Sequence, residues 1–344
     1  MEILFPKISR PVDGIFFWAK IMAKTYTRKQ LKERFKNTNW VFGYKELIAA
    51  YDKKNNLIML IEDYMDGLYA EAWRTFHFPR TSPLVKYAKR EGTKSIFYIK
   101  PGRTELKLIP AFAPIGIRKA TVSKNEIKIN YSGLGGGGVS ASYCRGLAGG
   151  VKKIEIIREA GGNKHGEATV TLPRYHHLII GVDDTDTPEE GATYALVHNI
   201  ANKIQDGKNI RYISHVNTQL YPKNPRKTKN CMSTSVGFLL KPGLENKVIN
   251  FFIRELKKGT LSNNTSMIAL RGFFIPPKLK QFGKILRTKF FNNLSYVKRL
   301  IKELDLEYYV ITGEEGLIGS LGAISLHDNP DLAASLPPGF SKLK

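Results

Sequence analysis

The sequence predicts a multidomain protein of mixed α+β and α/β character. Three observations lead there. The chain has 344 residues, more than one typical domain holds, and its 42% hydrophobic content can fill two or three cores. Alternating and helix-period apolar patterns occur in both halves, so neither strands nor helices dominate. Finally, the apolar run 178–182 leads into an acidic loop and then a helical pattern, the strand–loop–helix order of an α/β unit.

Residues 1–175 read as an N-terminal α+β domain. The short apolar runs 57–61 and 95–99 predict buried strands, and residues 68–76 and 84–90 have helical spacing. Residues 120–131 and 151–157 alternate apolar with polar side chains, as half-buried strands do. A second domain, 176–260, opens on the strand 178–182. A helix follows over 192–204 on Ala195, Leu196, Ile200 and Ile204, then strands at 212–220 and 234–240 and an amphipathic helix at 244–257. The last region, 261–344, contains a strand at 267–270, a basic helix at 296–304 and a strand at 307–311. Its glycine-spaced helix, 316–324, carries small residues that permit close packing. No internal repeat is visible.

Composition bounds the function. No apolar run reaches the roughly 18 to 20 residues of a membrane span, and the first six residues lack the basic-then-apolar order of a secretory signal. Cys144 and Cys231 sit in dissimilar contexts, so a cytoplasmic, disulfide-free protein without a membrane partner is expected. The formal charge of +24 favours polyanions, either nucleotides or RNA. Codon bias toward Lys, Ile and Asn is the plainer explanation, since the basic residues are distributed rather than blocked.

The most informative segment is Gly181-Val182-Asp183-Asp184-Thr185-Asp186. Three carboxylates within four positions at the end of a buried strand repel one another unless a cation or several donors compensate. Mg²⁺ suits this role, because it prefers oxygen ligands and bridges carboxylates to substrate phosphates. Strand ends in open α/β sheets are also where ligands gather. The bland alternative is a turn in which Asp186 or Thr187 caps the next helix, with Pro188 in its first turn.

Two further loops bear on anions. Between Tyr221 and Asn230 lie Lys223, Arg226, Lys227 and Lys229, punctuated by Pro222 and Pro225, which keep the segment irregular and its side chains available. An acidic loop for metal and a cationic loop for phosphate oxygens are complementary parts of a phosphoryl-transfer site. For any single lysine, an exposed surface position is the simpler reading. The run from Gly133 to Gly138 has glycine at five of six positions, so Gly135 and Gly137 are candidate phosphate contacts if a helix opens just beyond, at 141–147. A tightly turned connector explains the same composition. His176, His177 and His198 read as ordinary boundary or helix-surface residues, and Cys231 as a small buried thiol.

The acidic motif, with Gly191 and Thr193-Tyr194 after it, resembles the opening of the kinase-like domain of archaeal tRNA-isoleucine agmatinylcytidine synthetase. The resemblance continues through Lys227-Thr228-Lys229-Asn230. It returns in 316–324, similar to a segment of that family's ferredoxin-like domain, and covers roughly 177–328. Over the whole chain, including Gly133 to Ser142 and Asp183 to Thr193, the sequence is closer to the methanogenesis marker protein 11 family. The resemblance implies a kinase-like domain at 176–260 and a ferredoxin-like region at 261–344, with ATP and Mg²⁺ as cofactors. Asp183, Asp184 and Asp186 would hold metal and phosphates, Asp184 and Thr193 would be catalytic, and Lys227 and Lys229 would face phosphate oxygens or an RNA backbone. Up to Lys344 there is neither the synthetase's oligonucleotide-binding module nor its zinc ribbon, and about 175 unrelated residues come first. The resemblance therefore bears on the chemistry more than on tRNA or agmatine as substrates. The expectation is an ATP- and Mg²⁺-dependent enzyme that activates a substrate oxygen by phosphoryl or adenylyl transfer, on an RNA or a protein of methane metabolism. Two other functions fit the sequence: an RNA-binding protein with an inactive core, and a non-catalytic assembly factor for a methanogenic enzyme.

Overall fold

The computed structural model describes residues 23–65, 67 and 72–340. The N-terminal six residues and the start of the helix expected from Leu68 lie outside them. The first half comprises β1 (Lys24–Thr27), α1 (Arg28–Arg34), β2 (Glu46–Asp52), β3 (Leu57–Asp63), α2 (Ala72–Thr81), β4 (Val85–Glu91), β5 (Lys94–Ile99), β6 (Gly102–Arg103), β7 (Ile115–Val122), β8 (Glu126–Leu134), α3 (Gly136–Val139) with a wider turn over Ser140–Cys144, and β9 (Lys153–Arg158). The long strand β10 (His165–Asp183) leads into α4 (Thr193–Ile204), β11 (Ile210–Gln219), β12 (Met232–Leu240), α5 (Glu245–Gly259), β13 (Ser266–Arg271), α6 (Pro277–Thr288), α7 (Leu294–Glu303), β14 (Glu307–Val310), α8 (Gly316–Ser325) and α9 (Pro330–Ala334). The fold is mixed α+β, as expected.

Strand β10 is the spine of the molecule. Its first half pairs antiparallel with β8 and β9, residues 174 and 175 pair parallel with β2, and its second half lies antiparallel between β12 and β13. The expected boundary at 175/176 therefore falls inside one continuous strand, and a cluster of Met59, Ile61 and Tyr98 with Tyr175, Leu239 and Phe273 joins the cores on either side. Leu172 and Val170 pack into the first core. Leu178, Ile180 and Val182 face α4 and α5, whereas Ile179 faces α6, α7 and α8. Burial on both faces explains why 178–182 is uninterrupted in its apolar character. That feature is usual in parallel sheets, yet here both neighbours run antiparallel. The strand-end rule for open parallel sheets thus does not apply, and the site lies where the end of β10 meets the starts of β12 and β13.

Two local expectations are corrected. Residues 84–90 form the edge strand β4 rather than a helix. Among the described residues its only partner is β5, and it leaves most side chains in solvent, so it lacks a clean alternation. Residues 120–131 are two arms of a β7–β8 hairpin turning at 123–125. The first core also contains a buried ion pair. Arg145 donates from Nε and Nη2 to the Glu62 carboxylate at 2.9 and 2.7 Å, with both side chains fully buried, and Tyr131 Oη adds a third hydrogen bond at 2.8 Å. Among the described residues, no helix is long and apolar enough to cross a membrane.

Candidate active site

The end of β10 opens into a cavity of about 810 Å³. Asp183, Asp184, Asp186, Thr193, Lys227 and Lys229 all line it, so the structure brings together every expected site residue except Gly135 and Gly137. Those two belong to a tight connector. A Cβ on Gly137 would lie 2.9 Å from the Pro114 carbonyl oxygen, and one on Gly138 within 2.8 Å of Gly166 N and the Gly133 carbonyl. The glycines are there because backbones cross at close range, and the helix α3 opens already at Gly136 rather than near 141.

Each aspartate is held differently. The Asp183 carboxylate packs against α8 at Gly319, where any Cβ would overlap it. The glycine spacing of α8 thus gives Asp183 its place. Asp184 sits in the left-handed region at φ 58°, and its carbonyl accepts from Thr265 Oγ1 at 2.6 Å. That backbone costs a non-glycine residue of order 1 kcal/mol, least for Asp and Asn. Asp186 is anchored by two hydroxyls: Thr193 Oγ1 donates to Oδ1 at 2.8 Å, and Thr228 Oγ1 to Oδ2 at 3.2 Å. Thr193 also accepts from Thr185 N at 3.2 Å and Thr185 Oγ1 at 3.0 Å. It is the first residue of α4 and is buried, so its hydroxyl organises the acidic loop. Gly191, at φ 101°, turns the chain back so closely that a Cβ would lie 2.9 Å from Asp186 Cβ.

The capping alternative fails. The N-cap of α4 is Ala192, with no side-chain cap, so neither Asp186 nor Thr187 caps it. The carboxylates keep their mutual repulsion. Burial, then the Asp184 charge, pushes the Asp183 carboxyl well above the usual carboxylate range. Burial, Asp186 and Glu315 raise Asp184 to about 6, against the opposing pull of Arg226. Burial, then the charges of Asp183 and Asp184, lifts the Cys231 thiol to about 11, which keeps it protonated and argues against a nucleophile.

The cationic wall faces these acids. Arg226 pairs with Glu315 at 2.8 Å, Lys227 Nζ donates to the Pro222 carbonyl at 2.5 Å, and Lys229 is exposed on the cavity rim. Lys289, Phe290 and Phe291, just past α6, complete the wall. Sequence reading missed them, because they lie some 60 residues from the basic loop and carry no local signal. The donor chemistry of the acidic loop, carboxylates and hydroxyls, suits a hard cation. Among the described residues, no three His, Cys, Asp or Glu side chains gather as a ready metal cluster. One or two aspartates with ligand phosphate and water oxygens is the arrangement the residues fit, and Mg²⁺ commonly binds that way.

Three comparisons bear on this geometry. Residues 179–255 match the family model described as the TiaS TCKD domain, which contains the acidic motif, Thr193 and the basic loop. A protein of Methanocaldococcus jannaschii (strain ATCC 43067 / DSM 2661 / JAL-1 / JCM 10045 / NBRC 100440), named uncharacterized protein MJ0921, is 36% identical over 294 residues, covering 86% of this chain and 97% of its own. Among solved structures, a complex of TiaS with an isoleucine tRNA and ATP aligns over 44% of this chain and 36% of its own at 19% identity and TM-score 0.38. Apo TiaS, a tRNA agmatidine synthetase, aligns over 43% and 35% at 18% identity and TM-score 0.38. The aligned region spans about a third of the length of those structures.

Proposed function

This chain belongs to one family with the M. jannaschii protein MJ0921, and from that premise we propose that it is an ATP- and Mg²⁺-dependent enzyme activating a substrate oxygen by phosphoryl transfer. One observation carries the reading. Asp183, Asp184 and Asp186 share a single cavity with Lys227, Lys229 and Lys289, and burial and mutual repulsion raise two of the carboxyls. The TiaS TCKD match over 179–255 supports it, because it falls on the segment that supplies most of these groups.

On this reading, Asp184 and Asp186 hold Mg²⁺, which when bound would neutralise phosphate charge. Thr193 and Thr228 hold the Asp186 carboxylate in place, one hydroxyl on each oxygen. Lys227, Lys229 and Lys289 lie against phosphate oxygens, and Phe290 and Phe291 offer an apolar wall to the rest of the nucleotide. Catalysis would come from positioning and charge neutralisation, which phosphoryl transfer mainly requires. Thr193 acts through Asp186 as a positioning residue. RNA is the favoured class of oxygen-bearing substrate, given the +24 formal charge and a TCKD match whose namesake is a tRNA agmatidine synthetase. A role in methanogenesis, through the resemblance to marker protein 11, belongs to the same proposal.

The test is incubation of the pure protein with Mg²⁺ and ATP labelled at the α or γ phosphate, with and without total RNA. Release of ADP with transfer of the γ label supports phosphoryl transfer, and AMP formation would move the reading to adenylyl transfer. Intact ATP under every condition would leave the two non-catalytic alternatives, an RNA-binding protein with an inactive core and an assembly factor.

A further inference from the structure

A second cavity, of about 370 Å³, lies between the N-terminal sheet and the edge strand β11, apart from the acidic strand end. One part of its wall is apolar, made by Met59, Ile61 and Ile96 from β3 and β5, Phe273, and the rings of Tyr98 and Tyr212. Three of its polar side chains, Ser214, His327 and His177, pack over Gly237, whose missing Cβ makes room for them. A Cβ there would overlap Ser214 Oγ and would lie 2.9 Å from His327 Nε2 and 3.4 Å from His177 Nε2.

The hydrogen bonds fix which of these atoms carry protons. His177 Nδ1 lies 2.8 Å from the Gly272 carbonyl, which can only accept, so Nδ1 bears the hydrogen and Nε2 presents a bare lone pair. Ser235 Oγ donates to the Ala323 carbonyl at 2.9 Å, hence it accepts from His327 Nδ1 at 2.8 Å. His327 Nε2 must then accept from Ser214 Oγ, also at 2.8 Å, leaving only oxygen lone pairs of Ser214 for a ligand. His177 is more than nine-tenths buried, and its Nε2 has no protein partner among the described residues. Asp328 lines the same cavity, with Oδ1 buried and without a partner among the described residues. His177 Nε2 and Asp328 Oδ1 are therefore acceptors left without a donor among the described residues, on a lining that also includes the Tyr98 and Tyr212 hydroxyls and Lys94.

Charge excludes an ion as that donor. Glu46 is paired with Arg211 at 2.6 Å, Glu91 with Lys89, and Asp328 Oδ2 with Lys280 at 2.5 Å, while Asp63 lies opposite Lys94 across β3 and β5. Three of the four carboxylates of the lining are thus ion-paired, and the fourth, Asp63, accepts from Thr93 Oγ1 at 2.9 Å. Burial also holds both histidines neutral at physiological pH. A cavity of this size, with aromatic rings in its walls and a bare acceptor at His177 Nε2, suits a small ring compound that carries a donor.

We propose that this cavity binds an uncharged heteroaromatic molecule through a ring N–H or amino donor accepted by His177 Nε2. The site is independent of the nucleotide reading. The experiment titrates the full chain, without nucleotide, with indole and with N-methylindole, which has the same ring system but no donor. The ¹⁵N resonance of His177 Nε2 is followed throughout. Indole is expected to shift that resonance and to bind roughly 3- to 10-fold more tightly than N-methylindole, the usual range for one hydrogen bond. His177→Leu should bring the two affinities within about twofold. Equal affinities in the wild-type protein, or no response of His177 to indole, would show a water-filled cleft and overturn the proposal. The wild-type comparison decides the matter even if the variant does not fold.

Discussion

Replacing Asp184 by Asn separates charge from backbone at the centre of the site. Asn tolerates the left-handed φ of 58° nearly as well as Asp, so the loop geometry should persist, whereas Ala would add strain of its own. The carboxyl of Asp184 is raised from 3.8 to about 6 by burial and by Asp186 and Glu315. A rise from 3.8 to about 6 corresponds to roughly 3 kcal/mol of penalty for the ionised form at neutral pH. Asp184→Asn should therefore stabilise the metal-free protein by about 1–3 kcal/mol, raising Tm by a few degrees. It should also weaken Mg²⁺–ATP binding at least 100-fold. Differential scanning calorimetry with EDTA and then with Mg²⁺–ATP reads both effects on one sample. The reasoning is refuted if the variant melts lower in EDTA, or if Mg²⁺–ATP raises its Tm as much as it raises the wild type's.

Other outcomes follow from the same geometry. The raised Asp184 favours the protonated folded state, so its contribution is fully present below the unfolded value near 4 and is lost as pH rises through about 6. In EDTA, wild-type Tm should accordingly fall between about pH 4 and 6, and Mg²⁺ binding should release protons below about pH 6, seen as a buffer-dependent heat in calorimetry. Gly319→Ala places a methyl group in the Asp183 carboxylate. It should cost roughly 2 kcal/mol or more of stability and weaken Mg²⁺–ATP binding, whereas the exposed Gly243→Ala should leave nucleotide affinity unchanged. Glu62→Gln strands the fully buried Arg145 charge and should lower stability by about 3–5 kcal/mol in denaturant unfolding, with nucleotide affinity per folded molecule preserved.

The parts of this protein legible in its sequence are those whose signal is local. The acidic loop announces itself because Asp183, Asp184 and Asp186 are neighbours in the chain, and the small residues of α8 are visible as a pattern before their purpose is. Their purpose, the seating of Asp183 on Gly319, is a contact across 136 residues and has no local trace. Lys289 joins the cationic wall in the same non-local way. The long strand β10 is hidden because Pro173, Arg174, His176 and His177 interrupt its apolar run, giving the look of a boundary where the strand changes partners. His177 reads as an ordinary boundary histidine, and only the sheet on its other side makes it the buried wall of a cavity. The edge strand β4 escapes for a different reason: with one partner and two solvated sides, no alternation was needed to fold it.

The central claim is that the carboxylates at the end of β10 take up a metal-bound nucleotide. Calorimetric titration of ATP into the wild-type protein, once with Mg²⁺ and once with EDTA, tests it most directly. The account predicts saturable binding with Mg²⁺ that is lost in EDTA. Equal ATP affinity with and without the metal, or no binding in either, would contradict it.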